Sequence, residues 1–319
     1  MRILSGIQPS GKLHLGNYFG MMKPAIELQS EGQAYLFIAN YHALTTSSSP
    51  DALRAATHDV ALDFLACGLD PEKTVFFRQS DVPEVTELTW LLSVVTPMGL
   101  LERCHSYKDK LARGIPANHA LFAYPVLMAA DILAYQSNLV PVGKDQKQHV
   151  EVTRDIAVKF NNQFGEVFTI PEPSIRESVA VVPGLDGEKM SKTYNNHIEL
   201  FGDEKETKAK IMRIVTDSKG LHEPKDPQTC NVFALYRLFA SEDDCREMEN
   251  LYRNGGYGYG EAKKKLFATM WEYLAPFRVK RKHLESDSAY VESVLAAGKE
   301  RAREEAAKTL AAARMAMGL

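Results

Sequence analysis

"RILSGIQPSGKLHLGN", residues 2–17, decides how the sequence is read. "RILSG" at 2–6 reads as a short buried strand, a loop of Gly, Pro and Ser follows, and a helix is expected to begin near Gly16. In open α/β sheets, ligands sit beyond the carboxyl ends of the strands, and a helix N-terminus favours anionic groups. Gly6, Gly11 and Gly16 let the backbone come close to a ligand, and His14 could donate to a phosphate. The spacing is neither the dinucleotide fingerprint nor a P-loop. Taken alone, it fits an ordinary tight turn with a surface histidine equally well.

Further along, "AYLFIAN" at 34–40 and "TVFFRQ" at 74–79 read as a second and a third strand. Between them, 49–68 reads as a helix with Ser49 as cap, Pro50 at its first position and Gly68 past its end. The helix after Gly16 contains Pro24, which should kink it or mark its real start. This order predicts a parallel sheet with right-handed crossovers. Residues 84–137 read as mostly helical, 138–161 as strand, glycine turn and amphipathic helix, and 177–184 as another strand. From about 196 helical patterns dominate, broken by loops at 217–230 and 254–260. A boundary is expected near 185–195, with an α/β part before it and a helical part after it.

The 319 residues carry a net charge of −3, with 45% apolar and 25% charged side chains, an ordinary globular composition. No global basic field advertises nucleic-acid binding, so such contacts would come from local runs such as "KKK" at 263–265 or "RVKRKH" at 278–283. Trp90 and Trp271 are expected to pack rather than to stack on bases. The first residues lack the apolar core of a secretion signal, and "YLFIA" at 35–39 is too short to span a bilayer. Cys67, Cys104, Cys230 and Cys245 form no Cys-x-x-Cys pair, so neither a zinc site nor a disulfide framework is indicated. The expectation is a cytoplasmic, reduced protein with no membrane partner.

Several stretches could carry chemistry. "DGEKMSKTYNN" at 186–196 sets Lys189 and Lys192 three apart around Met190 and Ser191, which suits either a polyphosphate or a solvated turn. In "FAYPVLMAADILAYQ" at 122–136, Tyr124, Leu127, Met128, Asp131 and Ile132 share one helical face. A carboxylate on an apolar face needs a partner, which is either an internal ion pair or a substrate N–H or O–H. In "VPVGKDQKQH" at 140–149, Val140 and Val142 end a strand, Gly143 turns the chain, and Asp145 and Gln146 open a helix. Asp145 suits the helix dipole, and Gln146 could hold one end of a small ligand. His42 follows the second strand at its carboxyl end.

Together these pieces resemble the class I aminoacyl-tRNA synthetases, and most closely the bacterial tryptophanyl-tRNA synthetases. "HLGN" at 14–17 is similar to the family's first signature, His-Ile-Gly-His, and "KMSKT" at 189–193 to its second, Lys-Met-Ser-Lys-Ser. "SGIQPSGKLHLGNY" at 5–18 and the long block 124–157 resemble stretches typical of the tryptophan enzymes. The resemblance implies a Rossmann-type parallel-sheet catalytic domain over 1–188, with a helical insertion at about 80–137 at a homodimer interface. It further implies a smaller all-helical anticodon-recognition domain over 189–290 and a C-terminal helix, 291–319, packing back on the catalytic domain.

The implied activity joins L-tryptophan and ATP, with Mg2+, into an adenylate plus pyrophosphate, then passes the tryptophanyl group to the terminal adenosine of tRNA(Trp). Carried over by position, Gln8, Pro9, Ser10, Gly16 and Asn17 match ATP contacts, as do Gly143, Lys144, Asp145 and Val181. Lys189, Met190, Ser191, Lys192 and Thr193 match the mobile second loop; His14, Asn17, Lys189 and Lys192 take the catalytic positions. Asp131 matches the acceptor of the indole N–H, and Tyr124, Met128, Gln146, Val140, Val142 and His42 surround the amino acid. No protein-bound metal is implied. Two positions depart from the pattern: Thr193 replaces the usual final serine, and Lys144 stands where the family often carries Glu. The competing readings are a tyrosyl-tRNA synthetase, a catalytically silent paralogue with a regulatory binding role, and a nucleotidyltransferase that acts without tRNA.

Overall fold

Apolar runs without alternation become strands buried on both faces. The computed structural model, which describes residues 1–45, 49–112, 114, 118–141, 143, 146–174 and 182–319, shows five parallel strands. They are β1 (Arg2–Ile7), β2 (Gln33–Ile38), β3 (Thr74–Arg78), β4 (Leu139–Pro141) and β5 (Glu172–Ser174). Their order is β3-β2-β1-β4-β5, that of a Rossmann-type doubly wound sheet. Ile3 of β1 pairs with Ala34 of β2 on one side and with Leu139 of β4 on the other. Leu4, Tyr35, Phe37, Val75 and Phe77 are buried in one core with residues of the helices His119–Ala134 and Lys147–Phe164.

The helix Pro50–Ala66 forms as its caps dictate. The Ser49 hydroxyl accepts the Ala52 N–H at 3.3 Å, and Gly68 turns the chain at a φ of +107°. Ahead of Pro24, which has no N–H to give, the turn Tyr18–Met22 is π-helical. β5 had no counterpart among the expected strands. Its sequence, "EPS", hides it because proline is tolerated only where no ladder bond is needed, as at this sheet edge. Most of the strand expected at 177–184 lies outside the described residues.

The chain forms two compact units, cut at other places than the composition shift indicates. The first comprises Met1–Gly11, Pro24–Glu177 and Asp287–Leu319; the second comprises Lys12–Lys23 and Ser178–Ser286. Residues 12–23 join the second unit through backbone pairing: Leu15 N–H donates to Ile198 at 3.0 Å and Leu200 N–H donates to Leu13 at 2.9 Å. The other regular elements of the second unit, among the described residues, are helices such as Glu204–Met212, Glu242–Asn254, Tyr259–Tyr273 and Ala275–Ser286.

The long helix Ser288–Met317 belongs to the first unit. It lies against the backbone of β3, so closely that a Cβ on Gly298 would sit 1.8 Å from the Phe76 carbonyl oxygen. Ion pairs Arg2–Glu305, Arg303–Glu84 and Arg314–Glu87 flank this contact.

Trp90 departs from its expected packing role. On the helix Glu84–Val94 it is 72% exposed, with Val94 exposed one turn later, because the buried face of that helix is taken by Val85, Leu88, Leu91 and Leu92. Trp271 is half-buried; it stacks on Phe267, and the Arg278 guanidinium lies 3.8 Å from its ring centre. No helix among the described residues is long and apolar enough to cross a membrane.

Candidate active site

Strand order reverses at β1: β2 and β3 lie to one side, β4 and β5 to the other. Crevices in such sheets open beyond the carboxyl ends of the strands at that reversal. A cavity of about 410 Å³ opens here in the first unit, with Ser5 and Gly6 of β1 and Val140 and Pro141 of β4 in its wall. A Cβ on Gly6 would lie 2.5 Å from the Phe37 ring, so a larger residue there would have to displace that ring.

Asp131 stands in this wall on the helix His119–Ala134 and is only 2% exposed. Its Oδ2 lies 2.9 Å from His42 Nε2, and Gln79 Nε2 donates to Oδ1 at 2.9 Å and to Oδ2 at 2.8 Å. Burial pushes the carboxyl above its usual range, while the hydrogen bonds of His42 and Gln79 pull the other way. The Tyr124 hydroxyl sits 2.5 Å from Nε2 of buried His149, and Met128 and Ile132 supply apolar wall. The cavity is therefore apolar with a few fixed polar groups, a composition suited to a small amphipathic ligand.

Of the residues expected around a substrate or nucleotide, Gln8, His42, Tyr124, Met128, Asp131, Val140 and Gln146 line this one cavity. Gln8 donates from Nε2 to the His42 carbonyl at 3.3 Å. Pro9 is buried, and Ser10 and Gly143 are exposed. Val142, Lys144, Asp145 and Val181 lie outside the described residues. Sequence reasoning missed Gln79 and His149. The one signal for Gln79 was its place at the carboxyl end of the third strand, where the sheet rule puts ligand-side residues.

The two signature stretches meet in the second unit. Gly16 N–H points at Met190 Sδ, 3.3 Å away, and a Cβ on Gly16 would lie 2.9 Å from His14 Nδ1. His14 is buried, and its Nδ1 accepts the Asn17 N–H at 3.2 Å while Asn17 Oδ1 accepts the His14 N–H at 3.1 Å. Burial lowers the His14 pKa to about 4, with help from the charge of Lys192 and from His197, whose ring lies 5.9 Å away. With Nδ1 accepting, the neutral ring carries its proton on Nε2 and can donate it to a ligand.

The second stretch is a pinned turn. Buried Asn196 accepts the Ser191 N–H at 2.8 Å and donates to Asp186 at 2.8 Å and to the Lys189 carbonyl at 3.2 Å. Gly184 allows this, since a Cβ there would meet the Asn196 side chain at 2.3 Å. Lys189 is exposed and Lys192 half-buried. Thr193 gives its backbone N–H to Ser191 Oγ at 3.2 Å, a bond that a serine there would make equally.

The family described as tRNA synthetases class I (W and Y) matches residues 1–275. A tryptophan–tRNA ligase of Rhodopirellula baltica is 54% identical over the whole of both chains. One of Fusobacterium nucleatum is 53% identical over all of this chain and 98% of its own. The crystal structure of the Campylobacter jejuni tryptophanyl-tRNA synthetase complexed with ADP and tryptophan is 49% identical. It covers all of both chains with a TM-score of 0.94. The chain thus belongs to the class I tRNA synthetases for tryptophan and tyrosine, alongside members named as tryptophan–tRNA ligases.

Proposed function

We propose that the cavity beyond β1 and β4 holds L-tryptophan, and that the two signature stretches serve ATP, in an enzyme that joins tryptophan to its tRNA. The observation that carries this reading is Asp131: a buried carboxylate, fixed by two side-chain donors, in an otherwise apolar wall. A wall of that kind suits an indole, which is apolar save for one N–H. A site built around a substrate donor can reject an analogue lacking it by about 10⁴–10⁵. Phenylalanine would bring no donor to the carboxylate; tyrosine has a hydroxyl, so its rejection falls to the length and shape of the cavity. Gln146 and Tyr124 are assigned to the amino-acid end.

In the first step the tryptophan carboxylate attacks the α-phosphate and pyrophosphate leaves in line. No covalent enzyme intermediate is needed, so the chain's task is positioning and charge stabilisation. His14, as a neutral Nε2 donor, and Asn17 serve the phosphates; Lys189 and Lys192 neutralise the departing pyrophosphate. Mg2+ enters with the ATP phosphates as part of the substrate. In the second step the tryptophanyl group passes to the terminal adenosine of tRNA(Trp), with the helices of the second unit recognising the anticodon. Trp90 and Val94, exposed on one helical face, are assigned to the contact with a second copy in a homodimer working in the cytoplasm.

ATP–pyrophosphate exchange measured with each amino acid tests the reading. Exchange that depends on tryptophan is expected. Dependence on tyrosine would place the chain in the tyrosine branch, and no exchange with either would point to a silent paralogue. Charging of isolated tRNA separates the enzyme from a nucleotidyltransferase that works without tRNA.

A further inference from the structure

Gln79 closes the third strand region just beyond Arg78 and is 1% exposed. It does not reach the cavity, yet every polar atom of its side chain is used. Nε2 donates to both oxygens of Asp131, at 2.9 and 2.8 Å. Oε1 accepts the backbone N–H of Tyr41 at 3.0 Å and of His42 at 3.3 Å. The two backbone donors fix which end of the amide is oxygen, so the nitrogen must face the carboxylate. One side chain thereby ties the acid on the helix His119–Ala134 to the turn that carries His42.

The count of lone pairs adds a direction. Each carboxylate oxygen offers two. Among the described residues, Oδ2 receives Gln79 and His42, whereas Oδ1 receives Gln79 alone. We infer that Gln79 is a positioning residue for specificity: it holds the Asp131 carboxyl group oriented so that Oδ1 faces the substrate N–H. This inference rests on the proposed placement of the indole at Asp131. Without Gln79, the acid would keep a single donor in a buried site. Its proton affinity would rise, and its oxygens would be free to turn about the Cβ–Cγ bond toward His42.

The test is steady-state pyrophosphate exchange across pH on three variants. Gln79→Ala should raise KM for tryptophan about tenfold or more, leave KM for ATP unchanged, and move the acid limb of kcat/KM for tryptophan to higher pH. Gln79→Glu sets two carboxyls against each other, so one of them binds a proton far more tightly. At low pH that shared proton replaces the amide as donor, so tryptophan use should recover as pH falls. A merely structural glutamine gives no such substrate-selective recovery.

Asp131→Asn supplies the background for a double-mutant cycle. Adding Gln79→Ala to it should cost nothing further in tryptophan use. Fully additive losses, or Gln79 variants with unchanged tryptophan KM and pH profile while Asp131→Asn impairs tryptophan use, overturn the inference alone. Unaltered tryptophan use in Asp131→Asn overturns the placement of the indole and the inference together.

Discussion

His14 keeps its proton on Nε2 because Nδ1 already accepts the Asn17 N–H, and burial beside Lys192 holds its pKa near 4. The folded chain thus refuses a proton that the unfolded chain takes up once pH drops below the ordinary value of 6.5. The unfolded state binds more protons in this window, so stability rises with pH from about 4 to 6.5 and is lost on the way down. His14→Asn retains a short acceptor for the helix start but has nothing to titrate. Urea midpoints measured from pH 4 to 7 should therefore flatten on the acid side in that variant. An NMR titration of the native ring should show a midpoint near 4 and none near 6.5. Loss of the Nε2 donor should lower kcat for exchange by about 10²–10³, with KM for tryptophan little changed. The tautomer was not legible in the sequence: "HLGN" shows a histidine and an asparagine three apart, but not that each caps the other.

At the scale of elements, the helix Ser288–Met317 packs on β3 with less room for a Cβ than at any other described glycine. Gly298→Ala would drive a methyl group to within 1.8 Å of the Phe76 carbonyl oxygen, which belongs to rigid backbone. Overpacking of this kind costs about 1–3 kcal/mol or more. A lowered melting temperature by calorimetry is the expected result. Gly260→Ala, in the helix Tyr259–Tyr273 with nothing within 4 Å of the added methyl, should melt no earlier than the native chain. The contrast between legible and illegible elements follows from where their cause lies. β2 and β3 show in the sequence because strands buried on both faces need unbroken apolar runs. The helix Pro50–Ala66 shows because its caps are local. The membership of residues 12–23 in the second unit does not show, since it depends on pairing with residues near 198–200. Gln79 is hidden for the same reason: its partners lie 38 and 52 residues away.

For the whole molecule, a net charge of −3 leaves RNA contacts to local patches, and the structure narrows the choice. In the run 263–265, Lys263 donates to the Met212 carbonyl, Lys264 pairs with Glu261 and Lys265 with Glu247. In the run 278–283, Arg278 lies on Trp271 and Arg281 pairs with Glu285, while Lys280 and Lys282 are exposed. Replacing Lys280 and Lys282 by Glu should weaken tRNA binding and reduce the slope of log affinity against log salt by about one for each phosphate no longer neutralised. Pyrophosphate exchange without tRNA should be unaffected. Filter binding across salt concentrations and exchange assays check the two halves. The first unit is assembled from three separated stretches, and β3 leaves the ribosome long before the helix that covers its backbone at Phe76. A nascent chain holding the five described strands still carries an unfinished core, open to pairing with its neighbours on the same message. Completion of the first unit is therefore a late event in translation, not a step that local folding can settle as each strand appears.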